Sequence, residues 1–179
     1  MAMPFPITHQ DKLLTIDTSR EVWVKDVLAP GLDVCPLFLD AQNGIWGLRV
    51  RFAPGTVLPR HFHTGTVHMF TLSGSWHYGE YPGQPQTAGC YLYEPGGSVH
   101  QFMTPASNTE PTDAFMLVFG ANVNFDADGN FINVTDAGLI ELALNKVAAE
   151  QGLSPLNYIR SLGGAYATAG QAPQQAKAS

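Results

Sequence analysis

Charge is scarce in this chain. Only 13% of its 179 residues are Asp, Glu, Lys or Arg, and the nine Lys and Arg are scattered without a basic run. At a formal net charge of -6 it has no electrostatic grip on a phosphate backbone, which excludes nucleic acid as the expected partner. Cysteine is nearly absent as well. Cys35 and Cys90 are too few for a disulfide framework and read as free thiols of a reducing compartment. No apolar run is long enough to span a bilayer, and residues 1–14 are polar and proline-containing with no basic region leading into an apolar stretch. The expectation is a soluble, cytoplasmic protein with no membrane partner. Apolar residues, in contrast, make up 45% of the chain, so a surface this poor in charge is expected to be partly buried in an oligomer.

Helical periodicity is missing from most of the chain, and no internal repeat is present. From Glu21 to Val134 the sequence is a series of short β-like runs, at 46–52, 67–72, 75–81, 90–93, 99–103, 114–119 and 131–134. Trp46, Leu48, Val50 and Phe52 alternate with Gly47, Arg49 and Arg51, while Asn43-Gly44 signals a two-residue hairpin and Ser73-Gly74 and Asp128-Gly129 supply turns. The run Asp126-Ala127-Asp128-Gly129-Asn130 has the start of a calcium loop but lacks the downstream Glu, so it reads as a hairpin turn. Many short strands at this spacing predict an all-β sandwich or barrel. After Thr135 the pattern changes. Leu139, Ile140, Ala143, Leu144 and Val147 fall on one helical stripe that Gly152 can end, and Ser154-Pro155 suits the start of a second helix ending near Gly163-Gly164. The expected organisation is an N-terminal segment (1–20), a β domain (21–134), two short helices (135–164) and a disordered Ala, Gln and Gly-rich tail (165–179).

Two histidine-bearing blocks sit on this β-patterned sequence. The first places Gly55, His61, His63, His68 and Gly74 in order, and the second places Gly89, Pro95, Gly97 and His100. A strand turns alternate side chains to one face, so His61 and His63 point the same way, and the Gly-Pro-Gly punctuation before His100 provides the turn that returns it beside them. Three imidazoles so placed are metal-ligand candidates for iron, zinc, copper or nickel. His68 shares a face with Phe70 and Leu72 and reads equally as a fourth ligand or as a neighbouring hydrogen-bonding residue. His77 faces inward if Ser73-Gly74 is a two-residue turn; a three-residue turn exposes it and turns Trp76 and Tyr78 in instead. Glu94, on the face of Leu92 and Cys90, either approaches the metal, holds a ligand imidazole by its second nitrogen, or is an exposed acid beside a turn. Cys90 itself reads as a small buried apolar residue, and His9 as solvated. Phe70, Phe102 and Phe115 are candidates to line an aromatic substrate pocket, with core packing as the default for each.

The two blocks resemble the paired motifs of the cupins, small jelly-roll barrels built as a double-stranded β-helix, over about half the chain from Gly55 to Thr104. Three departures stand out: His68 occupies the place of the usual Glu, the gap to Gly74 is one residue short, and Thr104 replaces a frequent Asn. Within the cupins, the stretch HFHTGTVHMFTLSGSWHYGEYPGQ, with the helical C-terminal pattern, is most similar to the 2,4'-dihydroxyacetophenone dioxygenase family and next to the acetylacetone-cleaving, β-diketone dioxygenases. This resemblance implies a jelly-roll barrel followed by two short helices, forming a homodimer or homotetramer. It implies Fe(II) on His61, His63 and His100 with His68 as a possible fourth ligand, zinc or nickel being alternative metals. It further implies cleavage of a carbon–carbon bond of a small aromatic α-hydroxyketone by O2, giving a carboxylate and formate; for such a reaction Glu94 or His77 is the residue expected to handle protons. The competing reading is a non-enzymatic zinc cupin acting as a sensor or regulatory module; a metal-dependent isomerase or hydrolase of the same fold is a third.

Overall fold

The computed structural model describes residues 13–161. His9, the end of the expected second helix and the 165–179 tail lie outside these residues. Strand β1 (Leu32–Asp40) pairs antiparallel with β2 (Ile45–Phe52), joined by a four-residue loop in which Asp40 Oδ1 accepts the backbone N–H of Gln42 and Asn43. The Asn43-Gly44 signal therefore marks a real hairpin with a longer loop. Sequence reading missed β1 because Pro36 interrupts it; the structure accommodates that proline at a register shift between Pro36 and Phe38.

The chain continues through β3 (Arg60–His63), β4 (Val67–Ser73), β5 (Ser75–Tyr78), β6 (Gln86–Thr87), β7 (Tyr91–Glu94), β8 (Phe102–Met103), β9 (Thr112–Phe119), β10 (Asn122–Phe125) and β11 (Phe131–Thr135). One helix, α1 (Ala137–Glu150), and a short β12 (Ile159–Arg160) follow. One wall is a sheet of order β12-β1-β2-β9-β4-β7. Two three-stranded sheets, β11-β10-β3 and β6-β5-β8, are stitched together by the bridges His61↔His100 and Val57↔Met103, making a second wall. Val34, Leu48, Val50, Met69 and Val118 from the first wall and Trp76 and Phe102 from the second fill the space between, a two-walled jelly roll.

Ser73-Gly74 is not a hairpin turn. β4 pairs with β7 and β9, β5 pairs with β6 and β8, and Gly74 is the corner at which the chain leaves one wall for the other. Its φ is +79° and a Cβ there would lie 2.7 Å from Thr112 Cα, so both backbone and packing require glycine. Gly74→Ala is expected to cost about 3 kcal/mol in chemical denaturation, from the left-handed backbone and the clash together.

Helix α1 behaves as its stripe predicts. Asp136 caps it by accepting the Leu139 N–H at 2.8 Å, Ile140, Leu144 and Ala148 are buried, and Gly152 follows its end with φ +70°. The second helix does not form within the described residues. Instead Ile159 and Arg160 add a parallel strand beside Phe38 and Leu39 of β1, while Leu153, Leu156 and Tyr158 pack on the core and Arg160 pairs with Glu141 at 2.9 Å. The open edge of β1 and this apolar packing override a local helix start. Among the described residues no helix is long and apolar enough to cross a membrane.

Candidate metal centre

β3 is held between two neighbours, and this fixes where its histidines point. β10 pairs with it so that Asn124 faces His61 and Asn122 faces His63, and on its other side His61 and His100 exchange both backbone hydrogen bonds at 2.9 Å. Gly97, with φ +85°, turns the preceding loop and donates its N–H to His63 O at 2.8 Å, which brings His100 back beside the first pair. All three imidazoles are buried, and one nitrogen from each lies within 4.8 Å of the others.

The tautomers of two of them follow from their partners. His61 Nδ1 lies 2.8 Å from Pro59 O and His100 Nδ1 lies 2.9 Å from Ser98 O. A carbonyl only accepts, so each Nδ1 carries the proton and each Nε2 presents a lone pair. Those two Nε2 atoms face each other at 3.1 Å. Two lone pairs at that distance repel unless a cation lies between them, and 3.1 Å suits two neighbouring donors on one ion with bonds near ~2.1 Å. A proton is a poor substitute. Burial drives the His61 pKa down, holds His63 at about 3 with His61 and His100 adding to the effect, and holds His100 at about 4 with His61 adding to it. The Asn122 amide beside His63 opposes that shift, yet neither Asn122 Oδ1 nor His63 Nδ1 completes a hydrogen bond. Three neutral imidazoles with converging lone pairs and unfinished polar atoms among them fit a divalent transition-metal ion.

Glu94 is the carboxylate nearest the group. Its Oε1 lies 3.2 Å from His100 Nδ1 and 3.8 Å from His63 Nε2, its Oε2 accepts the Tyr78 hydroxyl at 2.7 Å, and Oε1 has no hydrogen-bond partner. Burial pushes the carboxyl up to about 7 against the opposing Tyr78 bond, and the same burial raises the Tyr78 phenol. Glu94 is thus a buried acid beside the ligand candidates, neither exposed nor one of the converging group.

The other expected residues lie elsewhere. His68 does share a face with Phe70 and Leu72, but that is the outer face of β4; Val67, Met69 and Thr71 point inward. His68 Nδ1 pairs with Tyr91 Oη at 2.7 Å, so the structure does not bring it to the group. His77 is also turned away. The corner at Gly74 replaces the turn that would have faced it inward, and Trp76 and Tyr78 take the interior. Phe70 (41% exposed) and Phe115 (37%) are paired on the outer face, whereas Phe102 (4%) lines the interior cavity. Cys90 is half-buried and is not among the converging residues, and Cys35 is buried with its thiol pushed up to about 11 by desolvation. The 126–130 segment is a hairpin turn between β10 and β11, with Asp126 Oδ1 accepting the N–H of Asp128 and Asn130.

Above the histidines lies an interior cavity of about 80 Å³, walled by side chains such as Trp46, Val50, Met69, Met116 and Ile140. A second space of about 150 Å³ adjoins it and shares Leu28, Leu32, Leu58, His61, Asn122 and Thr135 with it. Sequence reading missed Asn122 and the apolar wall. Asn122 belongs to a short polar strand whose place is visible only through its pairing with β3.

Comparison with known proteins places this site in context. A cupin-like protein of unknown function from Ralstonia eutropha JMP134 is 51% identical, with 90% of this chain and 100% of that chain covered and a TM-score of 0.84. An RmlC-like cupin from the same organism is 23% identical over 82% of this chain and 93% of its own, with a TM-score of 0.73. The acetylacetone dioxygenase of Acinetobacter johnsonii shares the fold at 17% identity and a TM-score of 0.64, over 82% of this chain and 99% of its own. No curated protein matches the chain. The model of the ChrR cupin-like domain matches residues 11–121, more than half of the sequence. With its jelly-roll walls and three-histidine group, the chain belongs to the ChrR cupin-like domain family of the cupins.

Proposed function

We propose that this protein is a non-heme Fe(II) dioxygenase that cleaves a carbon–carbon bond of a small chelating ketone, with an aromatic α-hydroxyketone as the favoured substrate and a β-diketone as the second. The observation that carries the proposal is the all-imidazole group with facing lone pairs at the floor of an apolar cavity. For the hydroxyketone, both atoms of O2 enter the products, a carboxylate and formate, and no other oxidant is needed. A bound ferrous ion would supply Lewis-acid polarisation of the ketone oxygens and a redox partner for O2.

His61, His63 and His100 are the residues that would hold the ion. Because no carboxylate is among them, these three residues themselves would not offset the charge of an ion that a deprotonated substrate oxygen must bind. Met69, Met116, Val50 and Trp46 exclude bulk water from the reacting end, and the adjoining space past Asn122 and Thr135 accommodates the ring. Asn122 Oδ1, buried and unpartnered, is an acceptor for a substrate hydroxyl. Glu94 Oε1 is the free carboxylate oxygen nearest the group and can hold a proton there, with Tyr78 fixing the other oxygen. The acetylacetone dioxygenase with this fold lends support to oxygen chemistry on a ketone.

The test is anaerobic loading with ferrous iron, then O2 uptake with 2-hydroxy-1-phenylethanone and with acetylacetone. The expected result is one O2 consumed per ketone, with formate released from the hydroxyketone. Fully loaded protein that consumes no O2 with either ketone discards the oxygenase reading and leaves the metal site standing. Family membership favours one other reading, a zinc-holding regulatory cupin. Protein grown without added zinc that nevertheless carries one tightly held zinc and consumes no O2 would establish that reading.

A further inference from the structure

Where β7, β4 and β9 run side by side, the outer face of the large sheet is aromatic and carries no Asp, Glu, Lys or Arg between its ends. Alternation puts Phe70 and Leu72 of β4, Tyr91 and Tyr93 of β7, and Phe115 and Phe119 of β9 on this face, while neighbours such as Met69 and Val118 pack inward. The patch is contiguous. Phe70 stands directly opposite Tyr91 on one side and Phe115 on the other, and His68 stands opposite Tyr93 and Leu117. The six large side chains are each between 37% and 59% exposed.

Size and chemistry say what covers this face. At about 200 Å² for a whole large side chain, the six leave roughly 500 Å² of mostly apolar surface open to water. A stable homodimer hides roughly 800 Å² per partner, about two-thirds of it apolar, so the patch matches the apolar centre of one such interface. Its polar atoms are ready for burial. His68 Nδ1 and the Tyr91 hydroxyl satisfy each other at 2.7 Å, so drying the face strands neither. The nearest charges border it at one end, where Asp113 pairs with Arg49 at 2.9 Å and Arg51 at 3.0 Å, as a polar rim. There the chain covers its own sheet, with Thr18 accepting from Arg49 and Trp23 lying over Arg51. Beyond that rim the face is bare among the described residues. An uncharged face has no complement in nucleic acid, an anionic membrane or a charged peptide; its complement is a surface of its own kind, which a twofold axis supplies.

We propose that the β7-β4-β9 face is a homodimer interface, in which two copies stack these sheets face to face about a twofold axis with Phe70 near its centre. The three histidines belong to the other wall, so the interface stands or falls independently of the oxygenase reading.

Sedimentation velocity of the full chain at micromolar concentration is expected to show a dimer, or a larger assembly built from dimers. Phe70→Glu sets a charge at the centre of the interface and is expected to raise the dissociation constant about 100-fold or more, leaving monomers or halving a larger assembly. Tyr93→Glu, on a different strand and more than half exposed, is expected to raise it about tenfold or more. Circular dichroism shows whether each variant folds, and Tyr93→Glu decides alone should Phe70→Glu fail to do so. Phe131→Glu, at an exposed ring on β11 of the other wall, is expected to assemble as the wild type does. A wild-type chain that stays monomeric overturns the proposal and leaves the face to a different protein. An assembly unchanged by both Phe70→Glu and Tyr93→Glu, or one that Phe131→Glu dissociates in their place, overturns it as well.

Discussion

His100→Ala is expected to fold and to lose its metal. The bridge that positions residue 100 is made by backbone groups of His61 and His100, so truncating the side chain leaves both 2.9 Å hydrogen bonds in place. What disappears is one of three converging nitrogens. Loss of a residue that merely orients a ligand typically costs 10–100-fold in metal affinity, so loss of a ligand is expected to cost on the order of 10³-fold or more. Competition against a coloured chelator reads this directly, with circular dichroism to show that the barrel persists. His68→Ala should match the wild type in the same titration, because its imidazole lies on the outer face against Tyr91. A metal affinity that falls with His68 and not with His100 would overturn this assignment of the site.

Acid is the second large lever, and it acts on the metal-free protein. Buried neutral imidazoles with lowered pKa values take up no proton in the folded state until about pH 4 for His100 and about pH 3 for His63. Unfolded, each titrates near ~6.5, so below that pH the unfolded chain binds more protons and folding stability falls as pH falls. Glu94 works in the opposite sense. Its folded pKa, raised to about 7 from 4.5, adds stability that is complete below 4.5 and lost as pH rises through 7, so between these values it offsets one histidine. His63 and His100 against one acid leave a net difference of roughly one proton, or about 1.4 kcal/mol per pH unit near pH 5, and His61, also lowered by burial, adds in the same direction. Urea midpoints between pH 7 and 4.5 measure that slope. A flat profile would mean that the imidazoles are not held neutral. Excess zinc or ferrous iron at pH 7 should raise the midpoint by adding about 4 kcal/mol of stability at a thousandfold over Kd.

The barrel and the three-histidine group were legible in the sequence because both rest on local rules. Alternation of two fixes that His61 and His63 share a face, and the glycines at 74 and 97 mark places where the backbone must take positive φ. The same alternation correctly grouped His68 with Phe70 and Leu72, but it cannot say which face is the interior. That choice is made by Val67, Met69 and Thr71, which pack inward, and by β9, which sets Phe70 against Phe115 outside. The place of His77 stays open in the sequence for a related reason: a corner between two walls and a hairpin turn share the same Ser-Gly signature. Asn122 and the Tyr78–Glu94 pair depend on strands that meet across the barrel, and β12 depends on an open edge of β1, so no local pattern announces them. Pro36 hid β1 because it satisfies a strand only where the register slips.

X-ray absorption of the protein loaded with one equivalent of ferrous iron or zinc tests the central claim most directly. The expected spectrum shows one bound ion per chain with a nitrogen and oxygen shell near ~2.1 Å, no sulfur, and the outer-shell scattering of three imidazole rings. A protein that retains no ion after desalting, or a shell containing sulfur or fewer than two imidazoles, would contradict it.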